Sequence, residues 1–248
     1  MINPFFSAGN SHEPRVRAIT IFFRAVLGMA VVLALTILLL PQQVYLAISN
    51  YLQIITAFAG AIGFLYIWYR YGRQEYLLWA AGAFALWGIS NSAWYVNIFL
   101  GQRNAVFPSL IDIGIIASII ILSVAFRKGL PQKQVVPHIL LLVLAISLII
   151  PLGVIVTQGI SVPSLVTLLY FVTCGSLIVV ALNRSSREYP HILTGVLLFA
   201  IAFMVYPLRE MFFITNPVLN VIGTLVFAGF SLIVIGMFAV SVPETSSP

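Results

Sequence analysis

Long apolar stretches, separated by short polar or Pro/Gly-containing breaks, account for most of the chain. A helix that crosses the hydrocarbon core needs about 20 mostly apolar residues and must satisfy its backbone hydrogen bonds internally. Runs of that kind fall at Ala18–Leu40, Leu46–Tyr69, Tyr76–Leu100, Pro108–Phe126, Pro137–Thr157, Pro163–Leu182, Pro190–Ile214 and Pro217–Val242. Several open on proline, which suits a first helical turn because its missing N–H needs no partner there. An alternative merges or discards one marginal run, the fifth or the sixth, around Pro151 and Pro163. The pattern predicts an all-α polytopic bundle of eight transmembrane helices over residues 18–242, with an N-terminal tail at 1–17 and a C-terminal tail at 243–248.

Composition removes the alternatives. At 61% hydrophobic and 7% charged, with a mean hydropathy of +1.10, the chain has too few charges to cover a water-facing surface. Ordinary soluble domains carry about 25% charged residues. A disordered chain would be far more polar. The one cysteine, Cys174, excludes a disulfide framework and reads as a small packing residue in the sixth span.

Charge placement supplies an orientation. Cytoplasmic connections are enriched in Lys and Arg. Arg15, Arg17 and Arg24 precede or open the first span; Arg70 and Arg73 follow the second. Arg127, Lys128 and Lys133 follow the fourth, and Arg184 and Arg187 the sixth. These are ten of the 12 basic residues; the opposite set of connections holds only Arg103, and Arg209 lies inside the seventh span. The asymmetry fits eight spans in the cell membrane with both termini cytoplasmic. The net charge of +6 is then a topological signal and calls for no nucleic-acid partner. The first span has a basic flank but an apolar core too long for a signal peptide, with no small-x-small site after Leu40, so it is expected to stay uncleaved.

The two halves, about 18–130 and 134–242, resemble each other. Glu75-Tyr76 with Gly82 is matched by Glu188-Tyr189 with Gly195, and Pro108-x-Leu110-x3-Gly114 by Pro217-x-Leu219-x3-Gly223. Four spans per half is an even number, so a duplication would relate the halves by an axis along the membrane normal. Gly60, Gly63, Gly82, Gly88, Gly223 and Gly229 are expected to permit close helix approach.

Ionisable residues inside a membrane are costly and mark candidate sites. Asp112 lies about one turn into the fourth span, and Arg209 and Glu210 near the end of the seventh. With Asn91, Trp94 and Tyr95 in the third span, Tyr206 in the seventh and Asn220 in the eighth, they concentrate in the outer part of the bundle. One expectation is an outward-facing ligand pocket, with Trp94, Tyr95 and Tyr206 as amphipathic walls and an Asp112–Arg209 ion pair across the halves. The other is an interfacial aromatic belt, with Arg209 and Glu210 snorkelling to the headgroups. Asp112 resists the second reading because a short side chain snorkels poorly.

Candidate chemistry is otherwise sparse. His138 and His191 sit in identical Pro-His-Ile-Leu strings, so a bis-histidine haem is conceivable, although the strings also read as interfacial helix starts. The chain holds no Gly-x-Ser-x-Gly elbow, no His-Glu-x-x-His pair and no lysine within a span. No enzyme activity and no resident cofactor are expected.

Gly82, Trp94, Pro108-Ser109 and Asp112, across residues 46–126, resemble a pattern in the multi-span membrane sensory domains found N-terminal to histidine kinases and diguanylate cyclases. There, a Gly- and Trp-containing span precedes an outer loop and a Pro-Ser-x-x-Asp-like helix start. A weaker echo at 163–242 has Asn220 as the nearest counterpart of Asp112. Only Pro243 to Pro248 follow Val242, so the resemblance implies a membrane module signalling through a separate partner, or a relative that has lost signalling. Two further readings stand beside it. A transporter or lipid-handling protein on a parallel repeat predicts a central cavity reaching past mid-depth. A structural subunit of a membrane complex predicts a stoichiometric partner.

Overall fold

The computed structural model describes residues 14–36, 39–71, 74–97, 107–130, 137–184, 190–212 and 221–241. In chain order they form α1 (Pro14–Thr36), α2 (Gln42–Tyr71), α3 (Glu75–Tyr95), α4 (Leu110–Gly129), α5 (Pro137–Gln158), α6 (Val162–Arg184), α7 (Pro190–Met211) and α8 (Val221–Ser241). Each expected apolar run overlaps one of these helices. Six of them, α2 and α4 to α8, are long and apolar enough to cross a membrane, so the chain is an all-helical multi-pass membrane protein.

The helix starts follow local chemistry. Ser109 caps α4: its N–H and its hydroxyl donate to Asp112 Oδ2 at 2.7 and 2.9 Å, the acidic half of a capping box. Ser161 and Ser164 do the same for α6, with the Ser161 N–H donating to Ser164 Oγ at 2.9 Å and the Ser164 N–H returning to Ser161 Oγ at 3.3 Å. Proline opens α5 and α7. Pro151 and Pro207 sit inside these helices, and neither ends its helix.

Six helices close a circuit. α2 packs on α3, α3 on α4, α4 on α6, α6 on α7, α7 on α8, and α8 back on α2. Neighbours in sequence run antiparallel: Glu75 at the start of α3 meets Lys128 near the end of α4, and Ile192 at the start of α7 meets Gly236 near the end of α8. α4 and α6 are parallel, since Arg184 at the end of α6 reaches Leu130 just past α4. α1 and α5 lie outside the circuit and differ in attachment. α1 packs on α8, where Leu33 joins Tyr45 and Phe227, whereas α5 packs on α6. Most of the large apolar side chains of α5 face outward, as expected of a helix at the bundle edge in lipid.

The middle of the circuit is filled by aromatic rings. Phe238 meets Phe64 at 4.9 Å between centroids, Phe64 meets Phe84 at 5.5 Å, and Phe84 meets Phe230 at 4.8 Å. The column continues through Trp87 on Phe230 at 4.4 Å and Phe203 on Trp87 at 6.4 Å. Tyr170 then stacks on Phe203 at 5.9 Å and 6°. The rings come from α2, α3, α6, α7 and α8, so the core binds together helices far apart in sequence.

Small residues set the helix spacing. A methyl group on Gly195 would lie 2.7 Å from the Gly229 carbonyl oxygen, and one on Gly229 would lie 2.8 Å from that of Gly195, so α7 and α8 touch backbone to backbone. Gly114 receives Ser90 of α3 and Gly223 receives Ser49 of α2. Gly60, Gly63 and Gly88 are packed against side chains as expected, but Gly82 is not: no atom of another helix lies within 4 Å of where its Cβ would be. The matched glycines Gly82 and Gly195 therefore occupy different environments.

α3 is not among the six helices long and apolar enough to cross a membrane, and its last turns carry Ser90, Asn91 and Ser92. Its position compensates. It packs between α2 and α4, and Ser90 and Asn91 are buried against protein.

Candidate functional site

Asp112 is the centre of the polar end of the bundle. It is 2% exposed, although it sits in the first turn of its helix. While Oδ2 takes the two bonds from Ser109, Oδ1 accepts the Tyr170 hydroxyl at 2.9 Å. The Tyr206 hydroxyl faces the same carboxylate, and the Glu210 carboxylate lies within electrostatic range of it. The Tyr206 ring is edge-on to Tyr170 at 5.8 Å and to Phe107 at 5.9 Å. The cluster thus joins α4, α6 and α7 at one end, and Tyr170 connects it directly to the aromatic column.

The expected ion pair takes a different form. Arg209 is 4.0 Å from Glu210, its neighbour in sequence, and among the described residues no ion pair joins it to Asp112. The reason is local: the Asp112 oxygens are taken up by the helix cap and the tyrosine, and Arg209 and Glu210 are only partly buried. That exposure suits the snorkelling reading of these two side chains.

The other expected residues separate. Tyr95 pairs with Tyr51 of α2, ring centroids 4.8 Å apart, and Tyr51 is largely exposed. Such a partly exposed aromatic pair suits the interfacial-belt reading. Trp94 is half-buried. Asn91 is 6% exposed, and its side-chain nitrogen has no hydrogen-bond partner among the described residues; Trp87, one turn earlier on α3, is 1% exposed with its indole N–H in the same condition. Two buried donors on one face of α3 are polar groups able to recognise an acceptor. Asn220 lies outside the described residues.

A second polar cluster was not anticipated. Tyr45, Ser49 and Gln53 follow one another at four-residue spacing on α2, all of them buried. Tyr45 hydrogen-bonds Thr224 at 2.5 Å through the hydroxyls, and Gln53 Nε2 donates at 3.1 Å both to Ser49 Oγ and to the Gly223 carbonyl. The i, i+4, i+8 spacing is the signal that marks such a face. Tyr170 carries a similar signal at three-residue spacing, in a row with Ser164, Thr167 and Thr173 on α6, all of them buried.

His138 is exposed at the start of α5, and His191 is half-buried at the start of α7. α5 packs on α6, so the two Pro-His-Ile-Leu strings begin helices that are not close neighbours in the bundle. Among the described residues no three His, Cys, Asp or Glu side chains cluster in a way that could hold a metal ion.

At the opposite end, Glu75, Trp79 and Lys128 form a group of their own. Lys128 Nζ is 2.5 Å from Glu75 Oε1, which also accepts the Trp79 indole N–H at 3.0 Å; the ammonium stands 5.4 Å from the Trp79 ring centroid. The hydrogen bond from Lys128 holds the Glu75 carboxyl below its ordinary range, helped by Trp79.

No family model, curated protein or solved structure matches the chain.

Proposed function

We propose that this membrane protein is a sensory or regulatory module that registers a ligand or membrane property at its Asp112 end and acts through a separate partner. The observation that carries the reading is the Asp112–Tyr170 contact. It links a buried carboxylate, shared by α4, α6 and α7, to the aromatic column that runs along the core. A change at Asp112 can then alter ring packing near the other end without any atom travelling through the bundle. Asn91 and Trp87 supply donors beside the column. The resemblance to sensory domains through Gly82, Trp94, Pro108-Ser109 and Asp112 points the same way.

The reading includes eight spans, with the basic end cytoplasmic by the positive-inside rule and both termini on that side. α2–α3–α4 and α6–α7–α8 occupying two sides of one circuit supports a parallel duplication. The different attachments of α1 and α5 mark where the halves diverged. A transporter of parallel repeats would need an axial path where this bundle has packed aromatic rings. The reading assigns no catalytic group and no haem.

Photo-crosslinking of the full-length protein in its native membranes tests the proposal. The expected result is a stoichiometric partner bearing a cytoplasmic signalling domain, whose crosslinking yield changes in Asp112→Asn and in Tyr170→Phe while protein levels hold. Substrate-dependent flux through proteoliposomes, with yields of crosslinked partner unaffected by either change, would replace the sensor with the transporter.

A further inference from the structure

The ends of α4 and α6 form an open cleft of about 280 Å³ lined by Arg127, Val180, Asn183 and Arg184, at the end of the bundle opposite Asp112. Small-molecule pockets run from roughly 300 to 1,000 Å³, so the space suits a headgroup rather than a whole amphiphile.

One arginine has a structural duty. Arg184 Nη1 donates to the Leu130 carbonyl at 3.3 Å and so caps the end of α4. A guanidinium carries five N–H donors, and this contact uses one. Arg127 is exposed, and among the described residues neither arginine has a carboxylate within ion-pair distance. The adjacent Lys128, by contrast, is matched by Glu75. Two guanidiniums on one cleft repel each other, and an anion between them turns that repulsion into attraction. On the span arrangement proposed above, the site lies where helix ends meet the membrane boundary, and basic pockets between spans at that depth take phosphate-bearing headgroups.

We infer that this cleft binds the phosphate of an anionic lipid headgroup. Arg127 and Arg184 grip the phosphate, the Asn183 amide adds a donor, and Val180 meets the apolar part of the lipid. The position gives binding a structural effect: α4 and α6 form one of the two seams that close the circuit, so a lipid bridging them clamps the halves together. Free phosphate offers the same chemistry, and the experiment separates the two.

Purified full-length protein is placed in phosphatidylcholine nanodiscs with or without phosphatidylglycerol. Retained lipid is counted by native mass spectrometry and stability is followed by thermal unfolding. Phosphatidylglycerol is expected to be retained in preference to phosphatidylcholine and to raise the unfolding temperature. Arg127→Gln, which leaves the Arg184–Leu130 contact in place, should lower that retention about fivefold, the effect of one interfacial charge. Arg127→Lys should restore most of it. Equal retention of the two lipids, or retention unchanged in Arg127→Gln, would overturn the inference. So would inorganic phosphate stabilising the protein in pure phosphatidylcholine as well as phosphatidylglycerol does, which would assign the cleft to a soluble anion.

Discussion

Tyr170 donates its hydroxyl to Asp112 Oδ1 across 2.9 Å, so a side chain from α6 holds the first turn of α4. Because the Tyr170 ring also stacks on Phe203, Tyr170→Phe keeps the packing and removes the oxygen alone. A hydrogen bond to a charged, buried group contributes about 1.5–3 kcal/mol. Thermal unfolding in mild detergent should therefore show a clear loss of stability in Tyr170→Phe. An unchanged transition would mean that the hydroxyl does not hold Asp112.

A double-mutant cycle separates this contact from the ion pair that the sequence suggests. Asp112→Asn and Tyr170→Phe remove the two sides of one bond, so their combined cost should fall short of the sum by about 0.5–3 kcal/mol. Asp112→Asn with Arg209→Gln should come much closer to additive, because Arg209 turns toward Glu210. Stronger coupling to Arg209 than to Tyr170 would reverse the assignment.

The helices were legible because a span must be apolar over its full length, and a charge or a proline–glycine break is conspicuous against that background. Asp112 was legible for the same reason. Its partners were not. Tyr170 falls in a row with Ser164, Thr167 and Thr173 that marks a polar face of α6, but only the tertiary arrangement shows its hydroxyl meeting a carboxylate 58 residues away in sequence. Opposite charges invite pairing on paper, and Arg209 is one candidate partner for Asp112, whereas a nearby capping serine and a tyrosine satisfy that carboxylate without a cation. Tyr45, Ser49 and Gln53 could have been found by looking for a polar stripe at four-residue intervals on α2.

The matched glycines give a direct test of how far the halves correspond. Gly195→Ala places a methyl group 2.7 Å from the Gly229 carbonyl oxygen and 2.9 Å from the Ile233 nitrogen. These are backbone atoms that cannot swing aside, so α7 and α8 must separate, at a cost of about 1–3 kcal/mol. Gly82→Ala meets open space and gains helix propensity, so it should be neutral or slightly stabilising. Thermal unfolding of the two variants side by side reads the difference. Equal destabilisation would show that both glycines are helix contacts and that the halves match more closely than these environments suggest.

The Glu75–Lys128 pair predicts a pH response at the basic end. The Lys128 hydrogen bond lowers the Glu75 pKa from its ordinary value of 4.5, with Trp79 contributing in the same direction. A carboxyl whose folded pKa is depressed contributes stability that is present above the unfolded value and lost as pH falls through the folded one. Wild type should therefore unfold at a higher temperature than Glu75→Gln at neutral pH, and the gap should close as the pH falls below 4.5. The pair is exposed, so the gap is small and shrinks with added salt. Lys128→Gln should reproduce the same profile, and adding it to Glu75→Gln should cost little more. A gap that persists unchanged below that pH would show that Glu75 acts through its bond to Trp79 or its packing, and that the ion pair does not fasten the start of α3 to the end of α4.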